Sequence, residues 1–479
     1  MAKSIKKNYI YNLCFQVLSI ILPIITAPYL ARVLGVEGVG TASFTLSIVA
    51  YFILFANLGI ASFGQREIAM HQDDKKKYSK IFWDLSAYRL VVGALTTFAY
   101  LFLILFADKY QIIYGIMIVN LLGNVFDITW FFQGLEEYKF ISMRNIAVKL
   151  LFAVSIFIFV RNPEDLNLYI LLNGLSILIS SLALWTRLPK LVEKPVIKAI
   201  RPFRYIKDTF IYFLPQIATT IYTVLDKTVL GLYDPSQTEN GYYEQAYKII
   251  QIATTVVTSI SVVMAPRFAF LYKKNNIVEL KERLRKSMKF IFMTAVPFAF
   301  GISAIASLFV PWFFGEEYLQ VIDIMQVFAP VILIIALSSA IGGQCLTPCG
   351  MRFQSALVLM LGAAVNFGAN MILIPKFWSF GAVAGTLLAE VVVTAGYFIL
   401  ARKYMGTVQT FKDATKYFVA GILMYIVVML VKPYFAPTIV STIIVTAIGA
   451  AVYGVSLIVM RDELLFEYMR LFWRKMTKK

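Results

Sequence analysis

Charge is scarce in this chain. Only 15% of its 479 residues are Asp, Glu, Lys or Arg, where a soluble domain has about 25%. Histidine occurs once, at His71, and cysteine three times, at Cys14, Cys345 and Cys349. His71 has no neighbouring ligand type at metal-binding spacing, and Cys345 and Cys349 flank only "LTP". That argues against a metal centre and a disulfide framework. No G-x-x-x-x-G-K-[ST] occurs, so the phosphate-cradling loop of ATPases is missing. The glycines of "GVEGVG" follow an apolar run and not a strand, so they are no dinucleotide fingerprint. No nucleophile, base and orienter stand together. The sequence therefore reads as a non-enzyme without cofactor or metal.

What is present is apolar length. Hydrophobic residues make up 59% of the chain, and mean hydropathy is +0.74. Apolar windows of membrane-spanning length recur from end to end. Stretches such as "LFAVSIFIFV" do not alternate, which excludes a β-barrel. The expected fold is all-α and polytopic, with about fourteen spans. The first run, after "MAKSIKK", is too long for a signal peptide and lacks a small-residue cleavage site, so it is expected to be the first span.

The net charge of +18 follows from topology. An even number of spans puts both termini on one side. Loops on that side, including "TRLPKLVEKPVIKAIRPFRYIKD" and "RFAFLYKKNNIVELKERLRKSMK", hold about 36 of the 45 basic residues. The other side holds Arg32, Lys109, Arg161, Lys376 and Lys432. Both termini are thus expected in the cytoplasm, and no nucleic-acid partner is implied. The segment "IVELKERLRKSMK" reads as an amphipathic helix end at anionic headgroups.

A repeat is visible. Leu34-Gly35 and Leu230-Gly231 each end a span, and Gly40 and Gly241 each open the next. Arg66 and Arg267 follow those last two glycines at equal spacing. This predicts a six-helix lobe at 1–190, a basic linker at 191–208, a second six-helix lobe at 209–403, and two further helices with a basic tail at 404–479. Parallel repeats of this kind are a transporter signature.

Polar residues interrupt the apolar runs at helical spacing. The seventh span carries Gln216, Thr219, Thr220, Thr223, Asp226 and Lys227. The eighth carries Glu244, Gln245, Lys248, Gln251, Thr255 and Thr258, and the first carries Asn8, Asn12, Gln16, Ser19 and Thr26. If the lobes face each other, these stripes line one central cavity. Charges inside spans are costly and mark function or pairing. Arg89, Asp226, Lys227, Lys248 and Glu390 are expected in the cavity. Asp127, Lys149 and Asp323, taken to lie near span ends, are expected to be paired or to snorkel. Pro23, Pro28, Pro215, Pro266, Pro297 and Pro330 can bend their helices.

Three segments carry a family resemblance: "NYIYNLCFQVLSIILPIITAPYLARVLGVEGVG", "LDKTVLGLYDPSQTENGYYEQAYKI" and "NMILIPKFWSFGAVAGTLLAEVVV". Together they resemble Wzx-type polysaccharide repeat-unit flippases, the oligosaccharide flippase branch of the multidrug/oligosaccharidyl-lipid/polysaccharide (MOP) exporter superfamily. The resemblance covers nearly the whole chain. It implies two lobes, a cationic cavity and alternating access. It implies that an undecaprenyl-diphosphate-linked oligosaccharide moves from the inner to the outer leaflet of the bacterial cytoplasmic membrane. A coupling cation (proton or sodium), membrane lipids and a polysaccharide polymerase are the implied partners.

On this reading Arg32, Arg66, Arg89, Lys227, Lys248 and Arg267 serve the diphosphate. Asn12, Gln16, Gln216, Gln245 and Gln251 serve sugar hydroxyls. Asp226 and Glu390 serve coupling or charge balance. Three alternatives stand beside it: a cation-coupled drug exporter of the same fold, a flippase for a peptidoglycan precursor, and a membrane-bound sugar transferase. The excess of basic over acidic candidates disfavours the first. The longest outer loop, "LYDPSQTENGY", is too short for the last.

Overall fold

The computed structural model describes residues 5–405 and 407–476. Side chains are described over 15–405, apart from Ile260, Val262, Val263 and Pro266, and over 412–470. The described chain is helical throughout, with no strand among the described residues.

In order the helices are α1 (Ile5–Asn57), α2 (Ile60–Met70), α3 (Lys75–Phe106), α4 (Gln111–Val125), α5 (Thr129–Gly134), α6 (Tyr138–Phe159), α7 (Leu166–Trp185), α8 (Leu188–Leu191) and α9 (Ile206–Tyr233). They continue as α10 (Thr238–Lys273), α11 (Ile277–Phe313), α12 (Gln320–Phe328), α13 (Val331–Ala340), α14 (Arg352–Ala401), α15 (Thr407–Val431), α16 (Ile439–Val459) and α17 (Glu463–Met476).

Among the described residues ten helical segments are long and apolar enough to cross a membrane. Two of them each contain two of the expected spans. In α1 the break is Gly35, at φ 68° and ψ 179°, a backbone that glycine reaches without a Cβ penalty. In α14 the break is Trp378, at φ 51° and ψ −126°, three residues after Pro375. The expected seventh and eighth spans, α9 and α10, fall outside the apolar set. These two helices carry the longest polar stripes. The fourteen expected spans thus map onto the helices, with four of them disguised by breaks or by polarity. The chain is a multi-pass helical membrane protein.

The chain forms two compact units, Met1–Gly231 and Leu232–Lys479. Nearly all of α9 therefore groups with the first unit, although the repeat places the second lobe from 209.

In the first unit, Phe82, Trp130, Phe131 and Phe132 form an aromatic core between α3 and α5. Gly59 (φ 74°) lets α2 start against α9, where an added Cβ would lie 2.2 Å from the Thr209 carbonyl oxygen. The stretch after α8 is strapped to the start of α3. Tyr78 donates to the Leu191 carbonyl, and Trp83 to that of Glu193. The Arg201 N–H donates to the buried carboxylate of Asp84 at 2.7 Å.

In the second unit the two halves of α14 pack closely. An added Cβ at Gly362 would meet Val393 at 2.3 Å, and one at Gly396 would meet Val358 at 2.6 Å. Asp462, fully buried before α17, pairs with Lys416 and accepts from Tyr417 and the Leu465 N–H.

Candidate functional site

Both units carry polar groups inside their spans. In the first unit α9 presents two different faces. Thr219 and Thr223 are exposed, and their hydroxyls return to carbonyls of their own helix. Gln216 is half-buried and donates to Ser62 at 3.3 Å. Asp226 is only 4% exposed. It lies on the seam with α1, close enough to Tyr51 to act on it electrostatically. Beside it, Thr228 bonds Ser47 at 2.8 Å and Tyr51 at 3.2 Å. Lys227 is half-buried and follows Asp226 directly. Consecutive helical residues point apart, so the two charges serve different faces of α9.

Arg89 is 3% exposed and lies inside the first unit. Its guanidinium donates to the Asn57 side chain and, at 2.6 Å, to the Asn124 carbonyl. Both acceptors are at helix C-termini, where a cation meets unpaired carbonyls and the negative dipole end. The expected cavity residue thus holds two helix ends. Arg66 is exposed and donates to the Tyr212 hydroxyl at 2.7 Å. Arg32 is exposed one turn before the Gly35 break. Gln16 is exposed on α1, and the Asn12 side chain lies outside the described residues.

Lys149 departs from the expected place near a span end, paired or snorkelling. The structure puts it at the middle of α6, its ammonium 2.9 Å from Ser19 Oγ and 4.9 Å from the Phe15 ring centre. Asp127 fits its expectation, accepting from the Thr129 N–H at 3.1 Å.

In the second unit Lys248 pairs with Glu244 at 3.4 Å, one turn earlier on α10. Gln245 is fully buried beside Tyr318, whereas Gln251 is exposed. Arg267 is exposed and binds Glu279 at 3.0 Å, together with Arg283. Glu390 is 6% exposed. The close contacts between the halves of α14 put it level with Asn366, which is also buried. Asn370 donates to Asn366 at 3.2 Å. Asn366 and Asn370 were not singled out in the sequence, although their four-residue spacing inside an apolar helix is a legible signal.

Among the described residues no cluster of His, Cys, Asp and Glu could hold a metal. The arrangement offers cations, amides and hydroxyls within spans, and buried carboxylates at helix seams. It suits recognition and movement of a polar, anionic cargo.

A family model described as "Polysaccharide biosynthesis protein" matches residues 5–271. The chain belongs to the polysaccharide biosynthesis protein family. Within curated proteins, this family member is 23% identical over 397 residues to the Escherichia coli (strain K12) protein named "Putative O-antigen transporter". The match covers 82% of this chain and 95% of that protein.

Two solved structures share the fold. One is described as "Lipid II flippase MurJ, inward closed conformation", at TM-score 0.75 and 14% identity, covering 95% of this chain and 99% of that one. The other is an "Inward-facing conformation of a multidrug resistance MATE family transporter of the MOP superfamily", at TM-score 0.61 and 12% identity, covering 80% and 95%. This member of the polysaccharide biosynthesis family therefore shares its fold with both of these structures.

Proposed function

We propose that this protein is a flippase. It carries an undecaprenyl-diphosphate-linked oligosaccharide from the inner to the outer leaflet of the bacterial cytoplasmic membrane by alternating access. What supports this reading is that α9 and α10 carry lysines, amides and hydroxyls at helical spacing in a chain whose other spans are apolar. A diphosphate and its sugars cannot enter hydrocarbon without replacing their water. Lys and Arg offer charge to the phosphates, and amides offer paired donors and acceptors to sugar hydroxyls. The relative named for O-antigen supports the substrate class.

Lys227, Lys248, Arg32, Arg66 and Arg267 are assigned to the anion. Gln16, Gln216 and Gln251 are assigned to the sugars. Asp226 and Glu390 are assigned to charge balance and to coupling with a proton or sodium gradient. Arg89 and Gln245 act by holding the helices that present these groups. The termini are cytoplasmic on this reading, and a polysaccharide polymerase receives the product.

The test is reconstitution. Proteoliposomes carrying the purified protein and a fluorescent undecaprenyl-diphosphate-linked oligosaccharide are probed with a reagent that modifies only outward sugars. Exposure that rises with the protein and with an imposed gradient supports the proposal. Exposure equal to that of empty liposomes rejects it. The fold is shared with a lipid II flippase, so the peptidoglycan precursor is tested in parallel, and faster movement of that lipid favours the second reading.

A further inference from the structure

Lys149 is a cation deep in an apolar helix of the first unit that no acidic side chain approaches. It is the twelfth of the twenty-two residues of α6. At 1.5 Å per residue, its Cα is about 16 Å from either helix end. That exceeds the reach of a lysine stem, so its ammonium cannot snorkel to an interface. No Asp or Glu side chain comes within ion-pair distance, and among the described residues its partners are the Ser19 hydroxyl and the face of Phe15. Every Asp and Glu of the chain lies among the residues whose side chains are described, so no acid is hidden from this count. Arg144, on the same helix, and the buried Arg89 differ: both lie within electrostatic reach of the Asp127 carboxylate, and Arg144 is also tied to Asn145 and, at 2.9 Å, to the Ser180 carbonyl.

An uncompensated charge at mid-span costs about 2.5–3.5 kcal/mol on insertion scales. A structural role would return that cost through a partner, and here a single hydroxyl and a ring do so only in part. The surroundings are polar on one side. Gln16 is exposed one turn before Ser19 on α1, and Asn145 lies one turn before Lys149 on α6. Helical spacing puts Gln16 on the face of Ser19 and Asn145 on the face of Lys149, so amide, hydroxyl and ammonium groups follow one another there, as an oxyanion with sugar next to it requires.

We propose that Lys149 is a substrate-binding residue that takes a phosphate oxygen of the lipid-linked diphosphate, with Ser19 orienting its ammonium. This rests on the flippase reading and adds to it a site in the first unit. Ser19 Oγ already donates to the Phe15 carbonyl at 2.8 Å, so its lone pairs remain to hold the ammonium in place.

The experiment uses the full-length protein in nanodiscs, with undecaprenyl diphosphate as the probe. Lys149→Met should bind about tenfold more weakly, and Lys149→Arg should stay within about threefold of wild type. The salt dependence of binding should flatten in Lys149→Met. The thermal midpoint of Lys149→Met should equal or exceed that of wild type, because an uncompensated charge has been removed. A fall in that midpoint, with binding by the folded fraction unchanged, overturns the proposal and makes Lys149 structural. Equal probe affinity in wild type and Lys149→Met also overturns it. Wild-type protein that ignores undecaprenyl diphosphate rejects the proposed function itself, which separates the two failures.

Discussion

Glu239 on α10 accepts the backbone N–H of Ser379 at 3.2 Å, at the point where α14 restarts after its break at Trp378. The break leaves that amide without a helical partner, and the carboxylate meets the positive end of the restarted helix. Its other oxygen accepts from Gln320 on α12 at 3.1 Å. One acid thus ties three helices of the second unit. Glu239→Ala should lower stability by about 1–3 kcal/mol, the cost of a buried donor left unpaired. Amide exchange at residues 379–382 should rise with it, and Glu239→Gln should fall between. Exchange at 379–382 that is unchanged in Glu239→Ala would show that the clamp holds nothing.

Asp462 gives a prediction with a pH sign. Burial alone would raise its pKa, but the hydrogen bonds from Lys416, the Leu465 N–H and Tyr417, with the Lys416 charge, hold it below the usual 3.8. A depressed carboxylate contributes stability that is complete above its unfolded pKa and is lost as pH falls through the folded one. Wild type should therefore lose part of its advantage over Asp462→Asn below about pH 4. Above that pH the advantage should be constant and on the order of 3 kcal/mol, since the change leaves Lys416 unpaired and weakens the cap of α17. Thermal unfolding of both proteins across pH 3–7 measures this. A gap between them that does not narrow in acid contradicts it.

The fold was largely legible, because spanning length is a strong one-dimensional signal. The breaks at Gly35 and Trp378 merge pairs of spans, yet the sequence separates those pairs by their loop-like residues. Site residues were read less well, since hydrophobic period reveals a face but not what packs on it. Arg89 reads as a cavity charge from its neighbours in sequence, and only tertiary structure brings Asn57 and Asn124 to it. Lys149 is central in the expected span 141–160 as well as in α6, so its expected place near a span end disagrees with that span's own bounds and not with a shifted boundary.

Topology is tested by labelling. Ser236, exposed between α9 and α10, and Thr186, exposed after α7, lie on opposite sides of the membrane if the positive-inside bias holds. In a protein whose three native cysteines are replaced, Ser236→Cys should react in intact cells with a reagent that does not cross the membrane. Thr186→Cys should react only after the cells are opened. The reverse pattern overturns the orientation.

Lys227 and Lys248 differ in their surroundings, so their substitutions should differ too. Lys248 is tied to Glu244 at 3.4 Å, and its removal leaves a half-buried carboxylate without that partner. Lys248→Ala should lose export through that repulsive charge, and Glu244→Gln in the same protein should recover part of it. Lys227→Ala should also lose export, and arginine should restore more than alanine at either position. Surface polysaccharide per unit of membrane-inserted protein is the measurement. Full export in both alanine variants removes these lysines from the proposed site.

Asp226 is the last and sharpest case. A carboxylate near a diphosphate path repels the cargo, so its presence requires another use. It is buried on the α1–α9 seam, next to a hydroxyl group cluster of Ser47, Tyr51 and Thr228. A seam that gains or loses a charge has two packings of different energy, and alternating access needs two states that bind the cargo differently. Asp226→Asn keeps the shape and removes the charge. Binding of undecaprenyl diphosphate should change less than threefold, while gradient-driven delivery to the outer leaflet should fall at least tenfold. Binding in nanodiscs and delivery in proteoliposomes, with pH and sodium gradients imposed separately, resolve the two effects. If the variant delivers cargo at the wild-type rate and still responds to the gradient, Asp226 does not couple, and the buried Glu390 beside Asn366 becomes the residue to change.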